Sequence, residues 1–228
     1  MPVALCVFDA YGTLFDVAAA ARAAAEEPGG ERLATAWPRL ADTWRTKQLT
    51  YTWLRSLAGD HADLWTITRD ALDYALEDQG MADDLALRGR LMALYRELPA
   101  FPEAPEMLAA LKAGGMRSVI LSNGSPGMLE SAIAAAGIAD LLDSAISVEE
   151  VGVFKPHPKV YGLVERRTGV PPAQALFVSA NGWDAACATG FGFTTLWVNR
   201  AGAPLDRLPW RPTHVAPDLT AAPRIALA

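Results

Sequence analysis

Apolar residues follow two patterns that divide the chain into a strand-forming part and a helix-forming part. The run Val3–Phe8 is apolar without a break and stops at Asp9. Unbroken apolar runs of this length are typical of strands buried on both faces of a parallel sheet. We therefore expect Asp9 at the carboxyl end of a central strand, the edge where α/β sheets bind ligands. The structural alternative is a carboxylate that only caps a strand or begins a helix.

The next eighty residues show helical spacing and no strand pattern. The Pro-Gly-Gly sequence at 28–30 breaks the first helical stretch, and Pro38 interrupts or begins another helix. The segment Pro99-Ala100-Phe101-Pro102 marks a boundary. Helices are predicted over 17–27, 31–57, 64–76 and 85–98.

Strand and helix patterns alternate after this boundary. Such alternation predicts βαβ units and a parallel sheet. We expect an α/β protein with a doubly wound parallel-sheet core, residues 1–15 and 99–228, and a helical cap domain, residues 16–98, inserted after the first strand. Strands are predicted over 117–121, 145–147, 175–178 and 195–198, and helices over 106–113, 126–137, 159–167 and from 183 onward.

Composition and charge restrict the classes of partner. The chain has 228 residues, 51% of them apolar and 20% charged, with a formal net charge of −6, which is typical of a globular protein. This charge argues against nucleic-acid or anionic membrane partners, so a small anionic substrate would need a local basic pocket. The two cysteines, Cys6 and Cys187, are predicted to be buried free thiols. With no signal peptide or membrane-spanning stretch predicted, we expect a cytoplasmic protein.

Polar side chains follow the predicted strands where the strands end. Parallel topology would bring these strand ends to one edge of the sheet. Each residue alone has a structural explanation: a turn at 122–124, a solvated charge at Lys155, or a first-turn acid at Asp184. The ordered set of four groups is not explained by turns alone. The groups are Asp9 with Thr13, Ser122 with Asn123, Lys155, and Ser179 with Asn181 and Asp184.

Five stretches together resemble the haloacid dehalogenase superfamily, and within it the (S)-2-haloacid dehalogenases, over nearly the whole chain. They are DAYGTLFDV (9–17), WRTKQLTYTWLRSL (44–57), LSNGSP (121–126), FKPHPKVY (154–161) and FVSANGWDA (177–185). The resemblance implies a Rossmann-like core with a helical cap. It also implies hydrolysis of short (S)-2-haloalkanoic acids to (R)-2-hydroxyalkanoic acids and halide. A homodimer joined partly through the inserted helices is implied as well.

Two positions depart from the phosphatases of the superfamily. The first motif of these phosphatases is Asp-x-Asp, and its second aspartate protonates the leaving group. That position is Tyr11 here, and a phenol is a poor acid at neutral pH. Their acidic residue four positions before the last motif aspartate is Ala180 here, which weakens a Mg²⁺ site. A departing halide needs no proton. The resemblance therefore implies dehalogenation without a metal or other cofactor.

The resemblance assigns the chemical steps to residues of the sheet edge. Asp9 would attack C2 of a 2-haloalkanoate and form an aspartyl ester, which water then hydrolyses. Asp184 would orient or activate this water with help from Asn181. Lys155 would pair with Asp9 and keep it ionised. Thr13, Ser179 and Tyr161 would orient the nucleophile and its surroundings.

The remaining assignments concern the substrate. Arg45 would receive the halide, although without the resemblance an exposed helix arginine is the favoured interpretation. Leu49, one helical turn further on, shares its face. Packing in the core is the alternative for Leu49 and Trp53. Ser122 and Asn123 would bind the carboxylate; Ala10, Tyr11 and Tyr161 would lie beside the substrate; and Trp183, with Leu49 and Trp53, would form the apolar pocket.

Three further points stay open in the sequence. Thr46 stands where relatives often carry a longer amide, which predicts a changed pocket volume. The tryptophans of the insertion (37, 44, 53 and 65) are compatible with a dimer interface or an internal core. The alternative functions are a Mg²⁺-dependent phosphomonoesterase and a non-catalytic binding module. Intact Asp9, Lys155 and Asp184 argue against the latter.

Overall fold

A single sheet of six parallel strands carries the fold, and the first strand of the chain lies at its centre. This computed structural model describes residues 2–228. The strand order is β3-β2-β1-β4-β5-β6, the order of doubly wound nucleotide-binding folds. All four residues of β1 are fully buried, as the unbroken apolar run predicts. The strands are β1 Leu5–Phe8, β2 Arg117–Ser122, β3 Ser144–Ser147, β4 Ala175–Ser179, β5 Thr194–Val198 and β6 His214–Ala216.

Helices occupy the chain between these strands and confirm the α/β fold class. Four of them, α1–α4, follow one another between β1 and α5 and form the helical insertion. Helices α5 to α8 alternate with β2 to β5. The helices are α1 Ala19–Glu26, α2 Trp37–Ala58, α3 Leu64–Asp78, α4 Leu85–Arg96, α5 Ala104–Ala113, α6 Pro126–Ala135, α7 Pro158–Thr168, α8 Gly182–Phe191 and α9 Ala221–Ala226.

The structure confirms one of the two alternatives for Pro38, that it begins a helix, and shortens the helical stretch predicted over 31–57. Residues 31–33 form a short 3₁₀ turn, and α2 begins at Trp37 with Pro38 in its first turn, where the missing N–H leaves no hydrogen bond unmade. Strand β6 and helix α9 have no counterpart in the prediction. The first is three residues long, and the second contains Pro223, which the sequence pattern marks as a helix breaker.

Three of the four tryptophans of the insertion, Trp37, Trp44 and Trp65, pack in or against the hydrophobic core. Trp44 is 2% exposed, and its indole N–H donates to the Thr68 carbonyl at 2.8 Å, which ties α2 to α3. Trp37 and Trp65 lie half-buried under Arg22 and Arg96, whose guanidinium carbons lie 6.0 and 4.8 Å from the ring centres. These contacts favour the internal-core interpretation for three of the four tryptophans.

Side-chain contacts join the insertion to the sheet side of the molecule. Ser56, near the end of α2, accepts a hydrogen bond from the Phe154 backbone N–H at 3.0 Å. His61 Nε2 lies 3.1 Å from a Glu149 carboxylate oxygen. Both contacts lie beside the loop that carries Lys155. Over residues 2–228, no helix has the length and apolar composition that crossing a bilayer requires.

The two cysteines differ in their surroundings. Both thiols are free. Cys6 is fully buried in β1 as expected, but Cys187 on α8 is only half-buried, which corrects half of the prediction. Burial raises the pKa of the Cys6 thiol from 9.0 to about 12.

Replacing Cys6 by Ala is expected to flatten the alkaline dependence of stability. Between pH 9.0 and about 12 the unfolded thiol has lost its proton and the folded thiol has kept it, so the folded state binds more protons. The free energy of unfolding therefore falls as the pH rises, by about 1.4 kcal/mol per pH unit from this group alone. The measurement is urea unfolding of both proteins at pH 8.5 to 10.5 under reducing conditions. If the free energies of unfolding of the two proteins change equally with pH, this inference is wrong.

Candidate active site

Asp9 follows β1 directly and is held by hydrogen bonds on both sides. Its backbone N–H donates to the Val178 carbonyl of β4 at 2.9 Å. Its Oδ2 accepts from the Thr13 hydroxyl at 2.8 Å and from Asn181 Nδ2 at 3.0 Å. The Thr13 oxygen in turn accepts from the Ala180 N–H at 2.8 Å. The carboxylate is 6% exposed, so it is fixed in position and largely shielded from water.

The loop after Asp9 depends on one glycine and one distant arginine. Gly12 has φ +89°, a conformation that side chains disfavour, and the Arg45 guanidinium approaches it closely. Arg200 donates to the carbonyls of Gly12 and Thr13 at 3.2 and 3.1 Å and pairs with Glu103 at 2.7 Å. The sequence prediction missed Arg200, although it stands two residues after the end of β5, at the same edge of the sheet.

Lys155 lies between two carboxylates. Its ammonium is 3.1 Å from Asp9 Oδ1 and 3.0 Å from Asp184 Oδ2, and the residue is 1% exposed. Its backbone N–H donates to Asn123 Oδ1 at 3.0 Å, which fixes the loop after β3 against the loop after β2. Burial alone would lower the pKa of Lys155, but Asp184 and Asp9 outweigh burial and raise it. Lys155 is therefore charged at neutral pH.

Asp184 and Tyr161 form a layer behind Lys155. Asp184 is fully buried, and its second oxygen accepts from the Tyr161 hydroxyl at 2.7 Å. Burial raises the pKa of Asp184, while Lys155 and the Tyr161 hydroxyl oppose the rise. Burial, followed by Asp184, raises the pKa of Tyr161. Tyr161 therefore acts here as a hydrogen-bond donor and not as an acid.

The helical insertion contributes the opposite wall of the site through α2. The Arg45 guanidinium donates to the Tyr11 carbonyl at 2.9 Å and to Gln48 Oε1 at 2.7 Å. The Tyr11 ring stacks on Tyr95 at 5.8 Å between ring centres. Burial raises the pKa of Tyr11 above its ordinary value, which agrees with the expectation that this phenol is a poor acid.

Gln48 is a second residue that the sequence prediction missed. It is 1% exposed, and its amide nitrogen donates to the Thr68 hydroxyl at 2.6 Å and lies 3.1 Å from the Tyr95 hydroxyl. With its oxygen bound to Arg45, Gln48 connects the arginine to α3 and α4. The available signal was a glutamine three residues after Arg45 on the same predicted helix.

Asp9, Lys155 and Arg45 all border one small cavity. Its enclosed volume is about 20 Å³, close to what a single water molecule occupies. Lys155 is paired with Asp9 and Asp184, whereas Arg45 has no carboxylate partner among residues 2–228. Arg45 therefore provides the local positive charge that an anionic substrate needs in a protein of net charge −6. The cavity is lined by Asp9, Tyr11, Arg45, Gln48, Leu49, Thr52, Leu64, Ser122, Asn123, Lys155, Asn181 and Trp183.

Some predicted site residues lie behind the cavity wall. Ser179 is fully buried, and its hydroxyl accepts from the Asn181 N–H at 3.1 Å, so it supports the residue that contacts Asp9 and does not contact Asp9 itself. Thr46 is exposed and does not border the cavity, so the expected effect on pocket volume is not supported; Gln48 is the polar α2 residue at the wall. The predicted residues that the structure does not place on the wall are Ala10, Thr13, Trp53, Tyr161, Ser179 and Asp184.

Ser122 and Asn123 reach the wall, but both are partly occupied by their own loops. Ser122 Oγ accepts from the Gly124 N–H at 3.0 Å, and Asn123 Oδ1 accepts from Lys155. The Ser122 hydroxyl hydrogen and the Asn123 amide nitrogen remain as donors toward the cavity. At position 180, the backbone of Ala180 bonds Thr13 and the Trp197 indole, and no carboxylate stands there.

The family model of the haloacid dehalogenase-like hydrolases matches residues 3–192. The chain is 41% identical over 226 residues to (S)-2-haloacid dehalogenase 1 of Pseudomonas sp. strain CBS-3, covering 99% of this chain and 97% of the relative. It is 43% identical over 199 residues to (S)-2-haloacid dehalogenase 4A of Burkholderia cepacia, covering 87% and 84%.

A solved structure adds chemistry to this similarity. L-2-haloacid dehalogenase of Xanthobacter autotrophicus, solved with chloropropionic acid covalently bound, matches with a TM-score of 0.87 and 37% identity over 98% of both chains. The chain belongs to the (S)-2-haloacid dehalogenase family of the haloacid dehalogenase-like hydrolases.

Proposed function

We propose that this protein hydrolyses short (S)-2-haloalkanoic acids to (R)-2-hydroxyalkanoic acids and halide. The observation that carries the proposal is the Asp9 carboxylate, fixed by Thr13 and Asn181 and paired with Lys155 on the wall of a cavity that Arg45 closes. The names of the relatives and the covalent chloropropionate complex of one of them support it.

In the first step an Asp9 oxygen attacks C2 of the substrate. The new C–O bond forms as the carbon–halogen bond breaks, and the halide leaves with the bonding pair, so C2 is inverted. Lys155, whose ammonium lies 3.1 Å from Asp9 Oδ1, pairs with the attacking carboxylate and holds it in position. Arg45, which α2 places on the cavity wall, would stabilise the departing halide. Ser122 and Asn123 would donate to the substrate carboxylate, and Leu49 and Trp183 would contact its alkyl chain.

In the second step water adds to the acyl carbon of the Asp9 ester. The bond between this carbon and the ester oxygen on C2 breaks, and the water oxygen stays on Asp9 as part of the regenerated carboxylate. The hydroxy acid leaves with an oxygen that came from Asp9 and with a proton from the water. Asn181 reaches both Asp9 and the cavity wall and would orient the water. The contacts of Asp184 support a role through Lys155, which it holds in place; direct activation of water by Asp184 remains a prediction.

We propose the division into a core, residues 1–15 and 99–228, and a cap, residues 16–98. The uninterrupted succession of α1–α4 supports it.

A homodimer through the cap is proposed on the exposed Leu54 and Tyr74, which are 56% and 41% accessible. Residence in the cytoplasm is proposed on the two free thiols.

Halide release from each enantiomer of 2-chloropropionate, measured in EDTA, tests the proposed function. We expect release from the S enantiomer only, with (R)-lactate as the product. The metal chelator should have no effect, because the halide leaves without protonation and Asp9 attacks carbon directly. A folded protein that releases no halide from either enantiomer, or that instead hydrolyses phosphate esters with Mg²⁺, would exclude the proposal.

A further inference from the structure

An open apolar groove adjoins the catalytic cavity. Its volume is about 400 Å³, twenty times that of the catalytic cavity, and it lies between the end of α2 and the loop that carries Lys155. Lys155 and Trp183 border both spaces, so the groove adjoins the site. The groove is lined mainly by Trp53, Leu57, Phe154, Pro156, Trp183 and Leu208.

Two tryptophan rings separate the groove from the cavity. Trp53 of the insertion and Trp183 of α8 meet edge to face, with ring centres 5.3 Å apart and planes at 88°. The indole nitrogen of Trp53 is buried and has no hydrogen-bond partner within residues 2–228. Within the described residues, packing therefore holds this ring and no side-chain hydrogen bond fixes it.

We propose that the groove binds the distal alkyl chain of longer (S)-2-haloalkanoic acids, beyond the Trp53–Trp183 pair. This inference rests on the proposed function and extends its substrate class. The catalytic cavity, at about 20 Å³, is far smaller than the groove, and in the proposed reaction Asp9 and Arg45 must remain at C2 and the halogen. A longer chain must then leave the cavity past an apolar wall, and Trp183 leads it into the groove. The anionic head stays beside Lys155 and Arg45.

The substitution Leu208→Gln tests the groove without changing the catalytic cavity. Leu208 is 37% exposed and lines only the groove. Leu227→Gln is the matched control, because Leu227 is 45% exposed and packs near Gly114, at the amino-terminal end of β2. Both variants and the parent are compared on (S)-2-bromopropionate, (S)-2-bromohexanoate and (S)-2-bromooctanoate, which share one leaving group.

We expect the parent to turn over all three acids and Leu208→Gln to lower kcat/KM for the two long acids only. Burial of each methylene changes affinity about fourfold, so a loss of about that size or more is expected. The control should behave as the parent. Two results would overturn the chain subsite and leave the proposed function intact. In one, the parent turns over bromopropionate but not bromohexanoate; in the other, Leu208→Gln loses kcat/KM equally on all three acids. No turnover of bromopropionate would instead refute the proposed function.

Cys187 provides a direct measure of occupancy, because it is half-buried in the groove wall while Cys6 is fully buried. Alkylation of Cys187 by N-ethylmaleimide, followed by mass spectrometry, is expected to slow several-fold with (R)-2-hydroxyhexanoate and not with (R)-lactate. A Cys187→Ser variant identifies the labelled site. Unchanged labelling at saturating hydroxyhexanoate would contradict binding of the chain in the groove.

Discussion

Replacing Asp9 by Asn is expected to abolish halide release, with kcat/KM falling by on the order of 10⁴-fold or more. The carboxamide has nearly the same shape as the carboxylate but is not nucleophilic, so no ester can form. The fold should persist, because Lys155 keeps Asp184 as its partner at 3.0 Å. Activity is measured as halide release, and folding by circular dichroism.

The control for Asp9 is a second Asp→Asn exchange at the other end of the sheet. Asp143 accepts a hydrogen bond from the Ser118 N–H at 2.7 Å and lies just before β3, away from the catalytic edge. Asp143→Asn is expected to retain activity.

Single-turnover reaction of the parent in ¹⁸O water should place unlabelled oxygen in the product, because that oxygen comes from Asp9. Labelled product in the first turnover would mean that water attacks C2 directly.

Replacing Lys155 by Met is expected to lower kcat by on the order of 10³-fold and to destabilise the fold by about 3–5 kcal/mol. The ammonium is 1% exposed and serves two carboxylates, so its removal leaves Asp9 and Asp184 facing each other without a cation. One of them is then expected to retain a proton at neutral pH. The acid limb of any residual pH–rate profile should therefore move to higher pH.

A double variant separates catalysis from stability. Lys155→Met with Asp184→Asn restores the formal charge of the cluster to that of the parent, −1, and should recover most of the lost stability in urea unfolding. Activity should stay low, because Asp9 still lacks its cation. Recovery of full activity in the double variant would show that Lys155 serves only to neutralise Asp184, and would refute its proposed role beside the nucleophile.

The difference between prediction and structure is clearest at α2. The periodicity of 31–57 predicted helix, and the helix exists, but it begins at Trp37. Arg45 was assigned by resemblance and is on the cavity wall, whereas its partner Gln48 was missed, since the amide bonds across to Thr68 and Tyr95 on other helices. Periodicity identifies the buried face of a helix, but contacts between helices depend on how they pack.

The sequence by itself determined the fold class, the order of strands and helices as far as β5, and the strand-end residues Asp9, Lys155 and Asn181. Unbroken apolar runs and the polar residues after them are local features, which is why the sequence shows them. Only the tertiary structure decided that Asp184 and Tyr161 lie behind Lys155, that Arg200 holds the loop after Asp9, and that Trp53 and Trp183 divide a cavity from a groove. These depend on contacts between segments far apart in the chain, which no local pattern encodes.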